Sequence, residues 1–93
     1  MGPFHPKLDI SVDEATGVIR AAYLRIRDGA VDETREVAEG RAFADYNKEG
    51  FLLGIELLAP CELSVLDHIS QKESEPVRRF LRGGAPRELV LSN

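Results

Sequence analysis

The residues best placed to do chemistry lie between Asp45 and Glu56. Asp45, Asn47 and Glu49 fall at alternate positions, Gly50 follows, and Glu56 comes after five further residues. Oxygen donors at alternate positions, a glycine for a sharp bend and a closing carboxylate are what a calcium loop asks of its sequence. Glu49 is the one miss, being a methylene longer than the Asp or Asn of that pattern. The flanks decide against it. A calcium loop of this kind needs a helix on each side, whereas Arg41 to Tyr46 alternates with period two and Phe51 to Leu58 is apolar and ends before Pro60. The spacing therefore predicts two strands folded on the turn Asn47-Lys48-Glu49-Gly50. In that hairpin Asn47 pairs with Phe51, Asp45 with Leu53, Ala44 with Gly54 and Phe43 with Ile55. Asp45 and Asn47 then bond turn amides, and Asp45 and Glu56 point to opposite faces. Asp45, Asn47, Glu49 and Glu56 stand as weak metal candidates only.

Elsewhere chemistry is sparse. Glu56 sits among apolar neighbours, which reads as a structural carboxylate paired with Arg20 or Arg25. The alternative is a general base lining a pocket. Cys61 and His68 lie seven residues apart, but two ligands do not make a structural zinc site. His5 stands in the N-terminal stretch. No P-loop, G-x-S-x-G or G-x-G-x-x-G occurs. No catalytic residue and no cofactor are expected. Arg78, Arg79 and Arg82, with Arg87, form the basic cluster and read as a solvated helix face or a contact for an acidic protein. With Tyr23 they are the partner-binding candidates.

These residues need elements to hold them. Leu8, Ile10 and Val12 alternate with polar residues, as in a half-buried strand. Val18 to Arg27 is the longest strand, with Ala22, Leu24 and Ile26 on one face and Ile19, Ala21, Tyr23, Arg25 and Arg27 on the other. Asp28-Gly29 is a hairpin signal leading to a polar strand over 31–37. After Pro60, Leu63, Leu66 and Ile69 recur at near-helical spacing. Ser74-Glu75-Pro76 starts a helix carrying Val77, Phe80 and Leu81 on its apolar stripe, and Gly83-Gly84 stops it. Leu89-Val90-Leu91 reads as a last strand or a tail over 88–92.

Tyr23-Leu24-Arg25-Ile26-Arg27-Asp28-Gly29, Thr34-Arg35-Glu36-Val37, Asp45-Tyr46-Asn47-Lys48-Glu49-Gly50 and Gly54-Ile55-Glu56-Leu57-Leu58 together resemble the small bacterial family known as domain of unknown function 2283. The resemblance covers about residues 8–60 and departs from the family at Arg20 and Asn47. It implies an antiparallel β-domain and no assigned activity. It also implies a neutralising or partner-binding role, since such genes sometimes lie beside small toxin-like genes.

Ninety-three residues make one domain with a small core. The single cysteine excludes an internal disulfide, so a cytoplasmic setting is expected. No run of apolar residues is long enough to span a bilayer, and no membrane partner is expected. The net charge of -4 is uneven. The acidic residues gather in the middle of the chain, and the arginines near its end. Nucleic acid is a poor match for the acidic body, which lacks interleaved aromatics. Apolar residues on both faces of one strand argue that a second copy or another small protein covers what the helices leave. The reading is an α+β, mainly β fold: an antiparallel β-meander of about five strands over 8–60, with a flexible 1–7 and a C-terminal helical segment and tail over 61–93 packed on the sheet. The function expected is a non-enzymatic interaction module, either homodimeric or antitoxin-like. The alternative is a small-ligand or metal-binding protein using the acids of the 45–56 hairpin.

Overall fold

Leu52-Leu53-Gly54-Ile55-Glu56-Leu57 carries apolar side chains on both faces, and it forms the centre of the sheet. The computed structural model describes residues 3–91. The five strands of the main sheet are β1 (Lys7–Val12), β2 (Ile19–Arg25), β3 (Glu33–Val37), β4 (Ala42–Tyr46) and β5 (Leu52–Leu57). All pairings among them are antiparallel, and the spatial order is β1-β2-β5-β4-β3. The five-stranded antiparallel sheet with short C-terminal helices agrees with the sequence reading.

The strand order corrects it in one respect. Asp28-Gly29 closes no hairpin, because β2 and β3 do not pair. Residues 26–32 instead carry the chain to the far edge of the sheet. The Ile26 and Arg27 amides donate to the Leu53 carbonyl at 2.8 and 3.4 Å, and the Asp32 amide donates to the Tyr46 carbonyl at 2.9 Å. The physical reason is side-chain polarity. The β3 residues Glu33, Thr34, Arg35 and Glu36 are all exposed, which suits an edge, whereas apolar β5 is covered best with a neighbour on either side.

The β4–β5 turn is as expected. The Asn47 amide donates to the Phe51 carbonyl at 2.9 Å, and Gly50 takes a positive φ of 87°. Beyond it the register departs from expectation. Tyr46 pairs with Leu52, but Asp45 pairs with Gly54, Ala44 with Ile55 and Phe43 with Glu56. Leu53 is an extra residue in β5, a bulge that shifts every later pair by one. The bulge buries Leu53 against the crossover at Gly29, where a Cβ would stand 2.9 Å from Leu53 Cδ2.

The chain continues through β6 (Cys61–Glu62), α1 (Leu63–Ile69), α2 (Glu75–Gly84) and β7 (Val90–Leu91), with β6 and β7 in a small parallel pair. The Leu89-Val90-Leu91 expectation is met as a strand at 90–91, and Ser92 lies outside the described residues. Leu66, Val77, Leu81 and Leu89 pack on Ala22, Leu24, Ala44, Ile55 and Leu57 to form the core. Pro76 lies in the first turn of α2, but Ser74 makes no side-chain cap bond. Gly83-Gly84 does not stop the helix. Both belong to its last turn, and the extended Ala85 and then Pro86 end it. Gly84 allows close packing, since a Cβ there would stand 3.3 Å from Phe80 Cε1 and 3.6 Å from Leu24 Cδ2.

One ion pair joins the two parts of the molecule. Arg27, placed on the outer face by strand alternation, lies past the end of β2 and is only 4% exposed. Its Nη1 donates to the Leu52 carbonyl and its Nη2 to Glu73 at 2.7 Å, in the linker between the helices. Removing one partner of a buried pair leaves a charge without compensation. Arg27→Ala is expected to cost about 3 kcal/mol in urea unfolding. Adding Glu73→Leu should recover a large part of that loss.

Candidate functional site

The two faces of the sheet differ in kind. Both helices cover the face of Ala22, Leu24, Ala44, Ile55 and Leu57. The other face carries one row of residues paired directly across all five strands: Asp9 with Tyr23, Tyr23 with Glu56, Glu56 with Phe43, and Phe43 with Glu36. Carboxylates and aromatic rings thus alternate from edge to edge. Asp9 and Glu36 are exposed, and Tyr23, Phe43 and Glu56 are half-buried. Strand alternation assigns these side chains to one face, but pairing order alone brings them into line.

The adjoining row holds Gly54 between Arg25 and Asp45, with Thr34 beyond. Tyr23 leans across Gly54, where a Cβ would stand 2.5 Å from the phenol oxygen and 2.9 Å from the Leu24 carbonyl. Gly54 is therefore the floor on which the ring lies. The Tyr23 hydroxyl donates to Asp45 Oδ2 at 2.9 Å, and the Thr34 hydroxyl donates to Asp45 Oδ1 at 2.7 Å. Burial, then the hydrogen bond to Asp45, push the Tyr23 phenol far above the ordinary tyrosine range. The Arg25 guanidinium stands 6.0 Å from the centre of the Tyr23 ring.

These placements change the reading of the acids. Asp45 and Glu56 share a face, because the Leu53 bulge moves Asp45 opposite Gly54. Asp45 bonds Tyr23 and Thr34 and not the turn amides. Asn47 does act in the turn, its Oδ1 accepting from the Glu49 and Phe51 amides at 3.1 and 2.8 Å. Glu49 is exposed at that turn. Glu56 pairs with neither expected arginine, since Arg20 reaches Asp13 at 2.7 Å and Arg25 reaches Asp28 at 3.4 Å. Strands flank the 45–56 loop on both sides, and among the described residues no three His, Cys, Asp or Glu side chains converge as a metal site.

Of the remaining expected residues, Arg78, Arg79 and Arg82 share one surface of the helical segment, and the others lie apart. Arg79 is held by Glu75 at 2.7 Å and Arg82 by Asp67 at 2.6 Å, while Arg78 is exposed beside them. Cys61 is buried in β6, which pushes its thiol pKa up, and His68 is exposed on α1. His5 meets Asp28 at 3.0 Å on the surface. A cleft of about 630 Å³ lies elsewhere, between the β4–β5 turn and the α1–α2 linker, with Arg27, Arg35, His68, Lys72 and Glu73 in its wall. It includes neither Asp45 nor Glu56.

Sequence reasoning singled out Tyr23 and Glu56 but not Asp9, Thr34, Glu36 or Phe43 as members of one surface. Even strand spacing offers them as outward residues; their alignment depends on which strands are neighbours and on the bulge.

Two measurements check this geometry. In a Tyr46→Phe background, Asp45→Asn should lower the Tyr23 titration midpoint, because a negative charge opposing the phenolate is gone. Burial keeps the midpoint above the ordinary value of about 10. Since the folded-state value is raised, this group's contribution to stability is complete below pH ~10 and falls as pH rises further. Gly54→Ala forces either the tyrosine or the β2 backbone away and should cost about 1–3 kcal/mol, read by thermal unfolding.

No curated protein and no solved structure matches the chain. The stretch that matches a known family, 21–59, begins in β2 and ends just after β5. It is narrower than the 8–60 of the sequence resemblance and leaves β1 and both helices outside. Residues 21–59, which hold Tyr23, Asp45, Gly54 and Glu56, match the family described as Protein of unknown function (DUF2283).

Proposed function

We propose that the protein is a non-enzymatic interaction module whose open sheet face receives a basic segment of a partner protein. The observation that carries this reading is the row Asp9, Tyr23, Glu56, Phe43, Glu36 across the sheet. Among the described residues, no ion pair engages the carboxylates of Asp9, Glu36 or Glu56. A guanidinium or ammonium set over Phe43 or Tyr23 would meet a ring face and a carboxylate on either side, and both attract a cation. Arg25 over Tyr23 gives an internal example of the same contact.

Charge favours such a partner over a nucleic acid, and it disfavours stacking of two such faces on each other, since that would bring like charges together. A small basic protein, as in a neutralising pair, fits the surface. Catalysis finds little support, for the cysteine is buried while both histidines stand apart from it at the surface.

The test is a heteronuclear NMR titration with an Arg/Lys-rich peptide and an Asp/Glu-rich peptide of equal length. The basic peptide should move the amide signals of Tyr23, Phe43, Gly54 and Glu56, and the shifts should weaken with added salt. Glu56→Gln should loosen binding by about tenfold, the equivalent of ~1.4 kcal/mol. Equal response to both peptides, or none at this face, would remove the reading.

A further inference from the structure

The two edges of the sheet are unlike. At β3 each of Glu33, Arg35 and Glu36 puts a charge beside the open edge, and the next turn, Ala38-Glu39-Gly40, is left-handed at all three residues. Charges and sharp turns of this sort discourage another strand from pairing. The β1 edge has no such guard on the helix side of the sheet. Leu8 and Ile10 pair with Leu24 and Ala22, so they point to the core face, yet they lie 39% and 45% exposed. Val12, paired with Ile19, is 49% exposed.

The backbone of β1 is open in step with these side chains. The His5 amide donates inward to the Ile26 carbonyl at 2.7 Å, and the Asp13 amide to the Val18 carbonyl at 2.8 Å. Polar groups alternate in direction along a strand, so odd residues from 5 to 13 face β2. The amides and carbonyls of Leu8, Ile10 and Val12 therefore face away from the sheet. Pro6 offers no amide, and the turn after Asp13 ends the edge, which limits it to these three residues.

We propose that this edge binds a second copy of the same chain, β1 against β1 in antiparallel fashion, with the two-fold axis at Ile10. In that register Ile10 faces the partner's Ile10, and Leu8 faces the partner's Val12. Each of the three pairs has its amides and carbonyls directed at the other copy, so each closes two hydrogen bonds. The apolar side chains meet on the helix side and continue the core from one copy to the next. On the opposite face Lys7 comes level with the partner's Asp13, a charge match repeated by symmetry. A register centred on Asp9 or on Ser11 fails on both counts. It sets Asp9 against the partner's Asp9 or Asp13, and it brings together the backbone groups already bonded to β2. A two-fold contact uses up both β1 edges, so assembly stops at two. This surface is separate from the open face, and the β1 strand lies outside the family match.

Size exclusion with light scattering, run up to about 1 mM chain, is the first measurement. The expected mass is twice the 10.3 kDa of one chain. Ile10→Lys, at an exposed position, should return the mass of one chain with an unchanged circular dichroism spectrum while still binding the basic peptide. One chain's mass for the unaltered protein across the series overturns the proposal. So does a dimer that Ile10→Lys leaves intact. Single cysteines check the register, because native Cys61 is buried. Residues at the axis should come within the ~4.4–6.8 Å Cα separation that a disulfide spans. Ile10→Cys should crosslink faster than Leu8→Cys, and the reverse order overturns the Ile10-centred pairing.

Discussion

Arg27 ties three separate stretches of chain to one point. Its guanidinium reaches the Leu52 carbonyl at the start of β5 and the Glu73 carboxylate in the linker between the helices, while its own backbone amide meets Leu53. The arginine is 5% and the glutamate 15% exposed at the side chain, so the pair works where water screens it little. The contact fixes how the helical segment sits on the sheet and where the crossover leaves it. Its Nε has no acceptor among the described residues, so some of the desolvation cost is not recovered. A buried ion pair of this kind contributes less to net stability than to holding one arrangement against others.

From that point the surfaces follow. Helices docked over β5 and its neighbours seal one face and leave the other to Tyr23, Phe43 and the acids beside them. The crossover anchored at Leu53 sends β3 to the far edge, so β5 gains a neighbour on each side and β1 keeps its outer edge open. The chain thus presents an acidic, aromatic face on the side away from the helices and an exposed apolar edge at β1.

The Leu53 bulge links packing to surface chemistry most directly. An unbroken hairpin would set Asp45 opposite Leu53 and hold Asp45 and Glu56 on opposite faces. One extra residue reverses that, because side chains alternate with period two. Asp45 then lies within reach of both the Tyr23 and Thr34 hydroxyls. The ring of Tyr23 rests where the absent side chain of Gly54 leaves room.

Local pattern was enough to determine the strands, the Asn47–Gly50 turn, the two helices and the family resemblance, since alternation, turn residues and the Ser74-Glu75-Pro76 start act over a few residues. It was also enough to place the 45–56 acids on a strand-turn-strand segment and not between two helices. Strand order, the bulge at Leu53 and the burial of Arg27 were decided only by tertiary structure. Asp28-Gly29 carries a hairpin's residues, but the need of β5 for two neighbours outweighed them. Glu73 stands 46 residues from Arg27, and nothing in the spacing of either announces the other. Alignment across five strands and pairing at long range come from packing the whole chain around one core, and no local window of sequence contains that constraint.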